Sequence, residues 1–163
     1  MSLVLKVRSA LKGENYLDDY WRDRITNSVK YVCDTYNVDG EDVHVYIKDL
    51  DPREISIVNV EELSVEEATD IYKRFHGKNT PPVSVVECGY KKVLYMGHAR
   101  SLQFCLTKKP VRAVVMRLPY SIPEPPRFSW IDGNLEQHYL RLEKDLLKRI
   151  GEHEFLEKNN FKS

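Results

Sequence analysis

Residues 81–118 read PPVSVVECGYKKVLYMGHARSLQFCLTKKPVRAVVMRL, and the order of elements they encode decides the fold. Pro81-Pro82 forces an extended entry into the apolar run 83–86, which reads as a strand. Cys88-Gly89 supplies a tight reversal and 92–96 returns as a second strand, so the pair is a predicted hairpin. Gly97 breaks the extended pattern, and a short helix follows to about Thr107. Lys108-Lys109-Pro110 stops it, with two cations at the carbonyl end, where the helix dipole favours them. A further strand is expected over 112–118, with Val114, Val115 and Met116 as a buried run.

Upstream, 15–36 reads as an amphipathic helix. Leu17, Trp21, Ile25, Val29, Val32 and Tyr36 recur at spacings of three and four and form one stripe. Asp18 and Asp19 fall in its first turn, where the dipole favours acids. Residues 43–48 alternate, with Val43, Val45 and Ile47 on one face, as a half-buried strand does. A second extended run covers 55–60. Ser64 then opens a helix with Glu67 three residues on, a capping box, and His76-Gly77 closes it. Downstream, the Pro-rich 119–126 stretch reads as a connector. Asp132-Gly133-Asn134 starts a last helix reaching at least Ile150, with Leu135, Tyr139, Leu142, Leu146 and Ile150 along one side. That helix either packs on the body or pairs with a second copy.

The predicted class is α+β: a small mixed sheet with short helices, plus N- and C-terminal helices. One domain is expected over 163 residues, a length that buries roughly 70% of the unfolded surface. It divides into an N-terminal helical extension (1–40), a core (43–118) and a connector with C-terminal helix (119–163). No window approaches 18 consecutive apolar residues, so no membrane partner is expected. The N-terminal stretch is too short and lacks a cleavage site for a signal peptide. Three widely spaced cysteines, Cys33, Cys88 and Cys105, fit reduced thiols and a cytoplasmic setting, without a metal site.

Twenty-five basic and 25 acidic residues cancel overall, which argues against a general polyanion binder. The charges are segregated, however. Residues 41–80 carry 5 basic and 10 acidic groups, whereas 81–119 carry 7 basic and 1 acidic. Either the basic stretch faces phosphate or the two segments neutralise each other.

No Walker, Rossmann, zincin, thioredoxin or α/β-hydrolase signature is present. The turn Gly97-His98-Ala99-Arg100-Ser101 carries the chemistry instead. Glycine between strand and helix allows close backbone approach to a ligand. The N–H groups of the following helix suit anions. Arg100 adds a planar fork matched to phosphate oxygens. His98 is a candidate donor or proton shuttle near neutral pH.

Over 81–118 this arrangement resembles the ParB/sulfiredoxin superfamily, whose hallmark is a Gly-x-x-Arg turn after a hairpin and before a helix. A proline-led strand precedes that motif, here Pro82-Val83, and a short strand follows its helix, here Ala113-Val114. The resemblance implies a fold that holds nucleotide phosphates on residues 97–101. His98 stands where sulfiredoxins carry their catalytic cysteine. Only Gly97 and Arg100 match the partition-type ParB motif. Gly97, His98 and Arg100 match the free-serine kinases, but Met96 replaces their aspartate. Their upstream glutamate would correspond to Glu61 or Glu62, which with His98 form the candidate catalytic set.

Two functions are therefore expected from the sequence. The first is a ParB-like nucleotide- or phosphate-binding protein in a nucleic-acid context, with DNA as partner. The alternative is an ATP- or ADP-dependent small-molecule kinase or ATPase using the same turn. The implied cofactor is ATP or CTP, with magnesium. A third class, an interaction module, would work through the C-terminal helix, as would a homodimer.

Overall fold

The computed structural model describes residues 1–59, 63–120 and 131–158. Among these, five α-helices flank one mixed six-stranded sheet, the α+β class expected. The strands are β1 (His44–Leu50), β2 (Ile55–Ile57), β3 (Val83–Cys88), β4 (Lys91–Met96), β5 (Val111–Arg117) and β6 (Gly133–Asn134). Their order across the sheet is β1-β5-β3-β4-β2-β6. The β3–β4 hairpin and the parallel β3–β5 pair form its centre, which is why the middle of those strands is apolar and buried on both faces.

The pleat sorts the central strands onto two faces. Val83, Val85, Val111, Ala113 and Val115 join a core covered by α3 (Val65–Phe75), α4 (His98–Leu106) and α5 (Leu135–Lys158). Val86, Val93, Val114 and Met116 join a second core covered by α1 (Leu3–Leu11) and α2 (Asp19–Thr35). Alternate side chains on a strand point to opposite faces, so one run of valines serves both cores.

The helices carry the caps their sequences promise. Asp18 accepts from the Trp21 N–H at 3.0 Å, and Ser64 accepts from the Glu67 N–H at 3.3 Å. The 15–36 stripe is buried at Leu17, Ile25, Val29 and Val32. Helix α1 was not read from the sequence. It is tied down by Lys6, whose ammonium donates to the carbonyls of Gly40, Glu41 and Val43 at 2.7–2.9 Å. Arg22 likewise bridges the carbonyls of Leu11, Glu14 and Leu17, fixing the α1–α2 connection.

At the other end, α5 packs on the body. Leu135, Tyr139, Leu142 and Leu146 enter the α3–α4 core, and Ile150 is buried as well. The stripe read as a possible pairing surface for a partner is therefore spent inside the fold. Leu140, Leu147 and Leu156 are exposed on this helix. The start of α5 also differs from expectation, because Gly133 and Asn134 pair with Ile57 and Ser56 as an edge strand. Two residues carry no periodicity, and only this tertiary contact makes them a strand. Among the described residues no helix is long and apolar enough to cross a membrane. Of the connector read at 119–126, residues 121–126 lie outside the described residues, as does Trp130.

Candidate functional site

Strand β4 ends at Met96, and Gly97 turns the chain into α4 with φ of 98°. This is left-handed backbone that residues with a Cβ seldom adopt. A Cβ here would also lie 2.8 Å from Arg100 Nη2 and 2.8 Å from Val83 Cγ1. Glycine is required twice, for the turn and for the space. Glycine offers no side chain to cap the first turn of α4, and Gly97, His98, Ala99 and Arg100 line a cleft of about 630 Å³.

Three helices furnish this cleft. Helix α4 contributes His98, Ala99 and Arg100; α2 contributes Tyr20, Trp21 and Arg24; α3 contributes Glu67, Asp70, Ile71 and Arg74. The α3 set recurs at spacings of three, one and three, a helical stripe facing the opening. Tyr95 of β4 closes one side.

Arg100 is the unusual member. It is 3% exposed, and its Nη1 donates to the carbonyls of Pro82 at 2.6 Å and Pro81 at 3.3 Å. Its guanidinium carbon lies 4.7 Å from the centre of the Trp21 ring. No carboxylate among the described residues pairs with it. Burial, followed by the charge of Arg24, pulls its pKa down to about 10, so the group is still cationic at neutral pH.

Magnitudes show what this arrangement leaves undone. Burying an ion costs several kcal/mol even after relaxation. Two bonds to carbonyls return about 1.5–3 kcal/mol each, and a desolvated cation–π contact returns about 2 kcal/mol. The group is tolerated, but no acid among the described residues neutralises its positive charge. Arg24, 5.8 Å from the same indole, adds to the positive field, as does the amino end of α4. An anion in this cleft meets three favourable terms together.

The sequence-predicted residues divide accordingly. Gly97, His98, Ala99 and Arg100 line the cleft. Ser101 does not: it is fully buried, and its hydroxyl donates to the His98 carbonyl at 2.5 Å. His98 is itself buried, at 7% exposure. Glu61 and Glu62 lie outside the described residues. Among the described residues, Arg100 is held by carbonyls and an indole and by no acid. Among the described residues no cluster of three metal-ligating side chains occurs.

The sequence reading missed Trp21 as part of the site, along with Arg24, Glu67, Asp70 and Arg74. The signal for the last three was present in their common stripe on α3, of which Glu67 alone was read, as part of a capping box. Cys105 is buried with its thiol pushed up by burial to about 12, which keeps it protonated and unreactive.

Comparison with known proteins finds no match: no family model, no curated protein and no solved structure is significantly similar to the chain.

Proposed function

We propose that the chain binds a nucleotide, or another small phosphate-bearing ligand, in the cleft at the amino end of α4. The observation that carries this reading is Arg100, a buried guanidinium at the amino end of α4 with no carboxylate partner among the described residues. The phosphates would sit against residues 97–99, with Arg24 and Arg74 reaching them from the sides. Tyr20 and Tyr95 line the same cleft and offer faces on which a base can stack. The volume falls within the range that small ligands occupy. The Gly97-x-x-Arg100 turn that resembles the ParB/sulfiredoxin superfamily supports the same reading.

Glu67 and Asp70 favour a second, more specific reading. Two carboxylates among the cleft's cations suit a magnesium nucleotide and proton transfer from an acceptor, as a kinase or ATPase requires. They oppose a long nucleic acid, whose phosphates they would repel. Three cysteines outside any disulfide support a reducing, cytoplasmic setting for either reading.

A thermal-shift panel of ATP, CTP, GTP and ADP, each with and without magnesium, tests the proposal. A ligand at 100 times its Kd adds about 2.7 kcal/mol, worth roughly 5–10 °C for a chain of this size. At least one nucleotide should raise the midpoint, and Arg74→Ala, on the exposed rim, should reduce the rise. A panel that leaves the midpoint unmoved at millimolar nucleotide would refute the assignment.

A further inference from the structure

Two features of the cleft at the amino end of α4 ask for more than a generic anion: the donors that Arg100 leaves free, and the order of charges along α3. A guanidinium has five N–H groups, and Arg100 spends only those on Nη1, on the Pro81 and Pro82 carbonyls. Nη2 and Nε have no acceptor among the described residues, yet neither is a fully buried atom. Nη2 stands where a side chain on Gly97 would point, 2.8 Å from that Cβ position. Arg100 therefore keeps one edge of its fork open to the cleft it lines, and such an edge fits two oxygens of one phosphate.

The α3 wall has a direction. Its C-terminal end lies at the arginine pocket, because the Phe75 ring is 5.8 Å from Trp21 and the Trp21 ring is 4.7 Å from the Arg100 guanidinium carbon. Arg74 belongs to that end. Asp70 and Glu67 lie one and two turns back, about 6 and 10 Å along the axis at about 1.5 Å per residue. Both line the cleft, are exposed, and enter no ion pair among the described residues. A ligand with its phosphates on Arg100 thus presents its far end to two carboxylates, with Tyr20 and Ile71 lining the same space.

A carboxylate accepts hydrogen bonds and donates none. Guanine alone among the common bases sets two donors side by side, N1–H and the N2 amino group, which match the two carboxylate oxygens. Adenine and cytosine place a ring-nitrogen acceptor beside their single amino group, and a carboxylate oxygen repels it. We infer that the cleft is selective for guanine nucleotides, with the phosphates on Arg100 and the donor edge of the base on Asp70 and Glu67. The inference rests on the nucleotide reading of the same cleft and assigns its base.

Calorimetric titration of the full chain with GTP, ITP, ATP and XTP, in magnesium and in EDTA, tests it. GTP should bind about tenfold tighter than ATP, the fold-change of one hydrogen bond to a charged acceptor. ITP keeps N1–H but lacks the amino group, and should lose most of that advantage. The order should hold in EDTA, because the carboxylates meet the base and not a metal.

Asp70→Asn with Glu67→Gln changes two exposed side chains and should leave the melting temperature unchanged. ATP should then bind as well or better, since two negative charges are gone, while the preference for GTP disappears. XTP should gain on GTP, because an amide N–H donates to the carbonyl that xanthine carries in place of the amine. Saturable ATP binding equal to that of GTP in the wild-type chain would overturn the inference and leave the nucleotide reading standing. So would a GTP preference that survives the double substitution or vanishes in EDTA. Binding of none of the four would refute the nucleotide reading, and the base assignment with it.

Discussion

At the residue scale, the site turns on how one arginine is housed. Arg100 is held by carbonyls at Pro81 and Pro82 and by the Trp21 ring, all supplied by distant parts of the chain. The sequence shows the guanidinium and the glycine three residues before it. It cannot show that the supporting groups are backbone oxygens and an indole, because no local pattern encodes them. Gly97 is the opposite case: glycine between a strand and a helix is legible, and the structure adds the reason a larger residue fails. Gly97→Ala must place a Cβ at φ of 98° and 2.8 Å from both Arg100 and Val83. Such a backbone costs about 1–3 kcal/mol, and the crowding adds to it. Urea unfolding of Gly97→Ala should show at least that loss. Any nucleotide-induced thermal shift should fall as well, because Arg100 must move. A variant as stable as the wild type would show that the turn tolerates a side chain and that its glycine is incidental.

At the element scale, the central strands are stitched by one carboxylate. Glu87 on β3 is 5% exposed and faces Arg117 across the parallel β3–β5 register. Arg117 Nε donates to it, Lys92 of β4 lies 3.6 Å away, and the Tyr46 hydroxyl of β1 donates at 3.3 Å. Burial alone would raise its pKa. The Arg117 bond and charge, then Lys92 and Tyr46, outweigh that and hold the carboxyl below its ordinary 4.5. A carboxyl with a depressed folded pKa contributes stability that is present above 4.5 and lost as pH falls through the folded value. Glu87→Gln should therefore be less stable than wild type at pH 7, by about 1–3 kcal/mol. The gap should narrow as pH drops below 4.5. Paired denaturant titrations from pH 7 to pH 3 measure it, and a gap independent of pH would show that the charge is not what binds the strands. The elements themselves were mostly legible, because apolar spacing marks strands and helices alike. Helix α1 and strand β6 were not, since Lys6 on loop carbonyls and a two-residue pairing with β2 are tertiary events without a sequence period.

At the scale of the whole molecule, zero net charge conceals where the cations go. The 81–119 stretch holds 7 basic residues, but the fold disperses them. Arg100 enters the cleft at the amino end of α4, while Lys109 and Arg112 line another. Lys92 and Arg117 are engaged by Glu87, and Arg112 by Glu14 and Asp49. Contiguity in sequence therefore does not become a contiguous basic face. The first cleft instead gathers Arg24, Arg74 and Arg100 from three different helices. This sets an upper bound on how many phosphates it can neutralise at once. Each neutralised phosphate of a single strand contributes about −0.7 to the slope of log affinity against log salt. Three arginines thus allow a slope of about −2 for a short oligonucleotide, whereas a surface built from all seven basic residues of 81–119 would give about −5. Fluorescence titrations of a labelled oligonucleotide from 50 to 300 mM salt should give the shallow slope, and free nucleotide should compete the oligonucleotide away. A slope near −5 that nucleotide cannot compete would place nucleic acid on a broad surface, and the compact anion cleft would lose its claim to be the working part of the molecule.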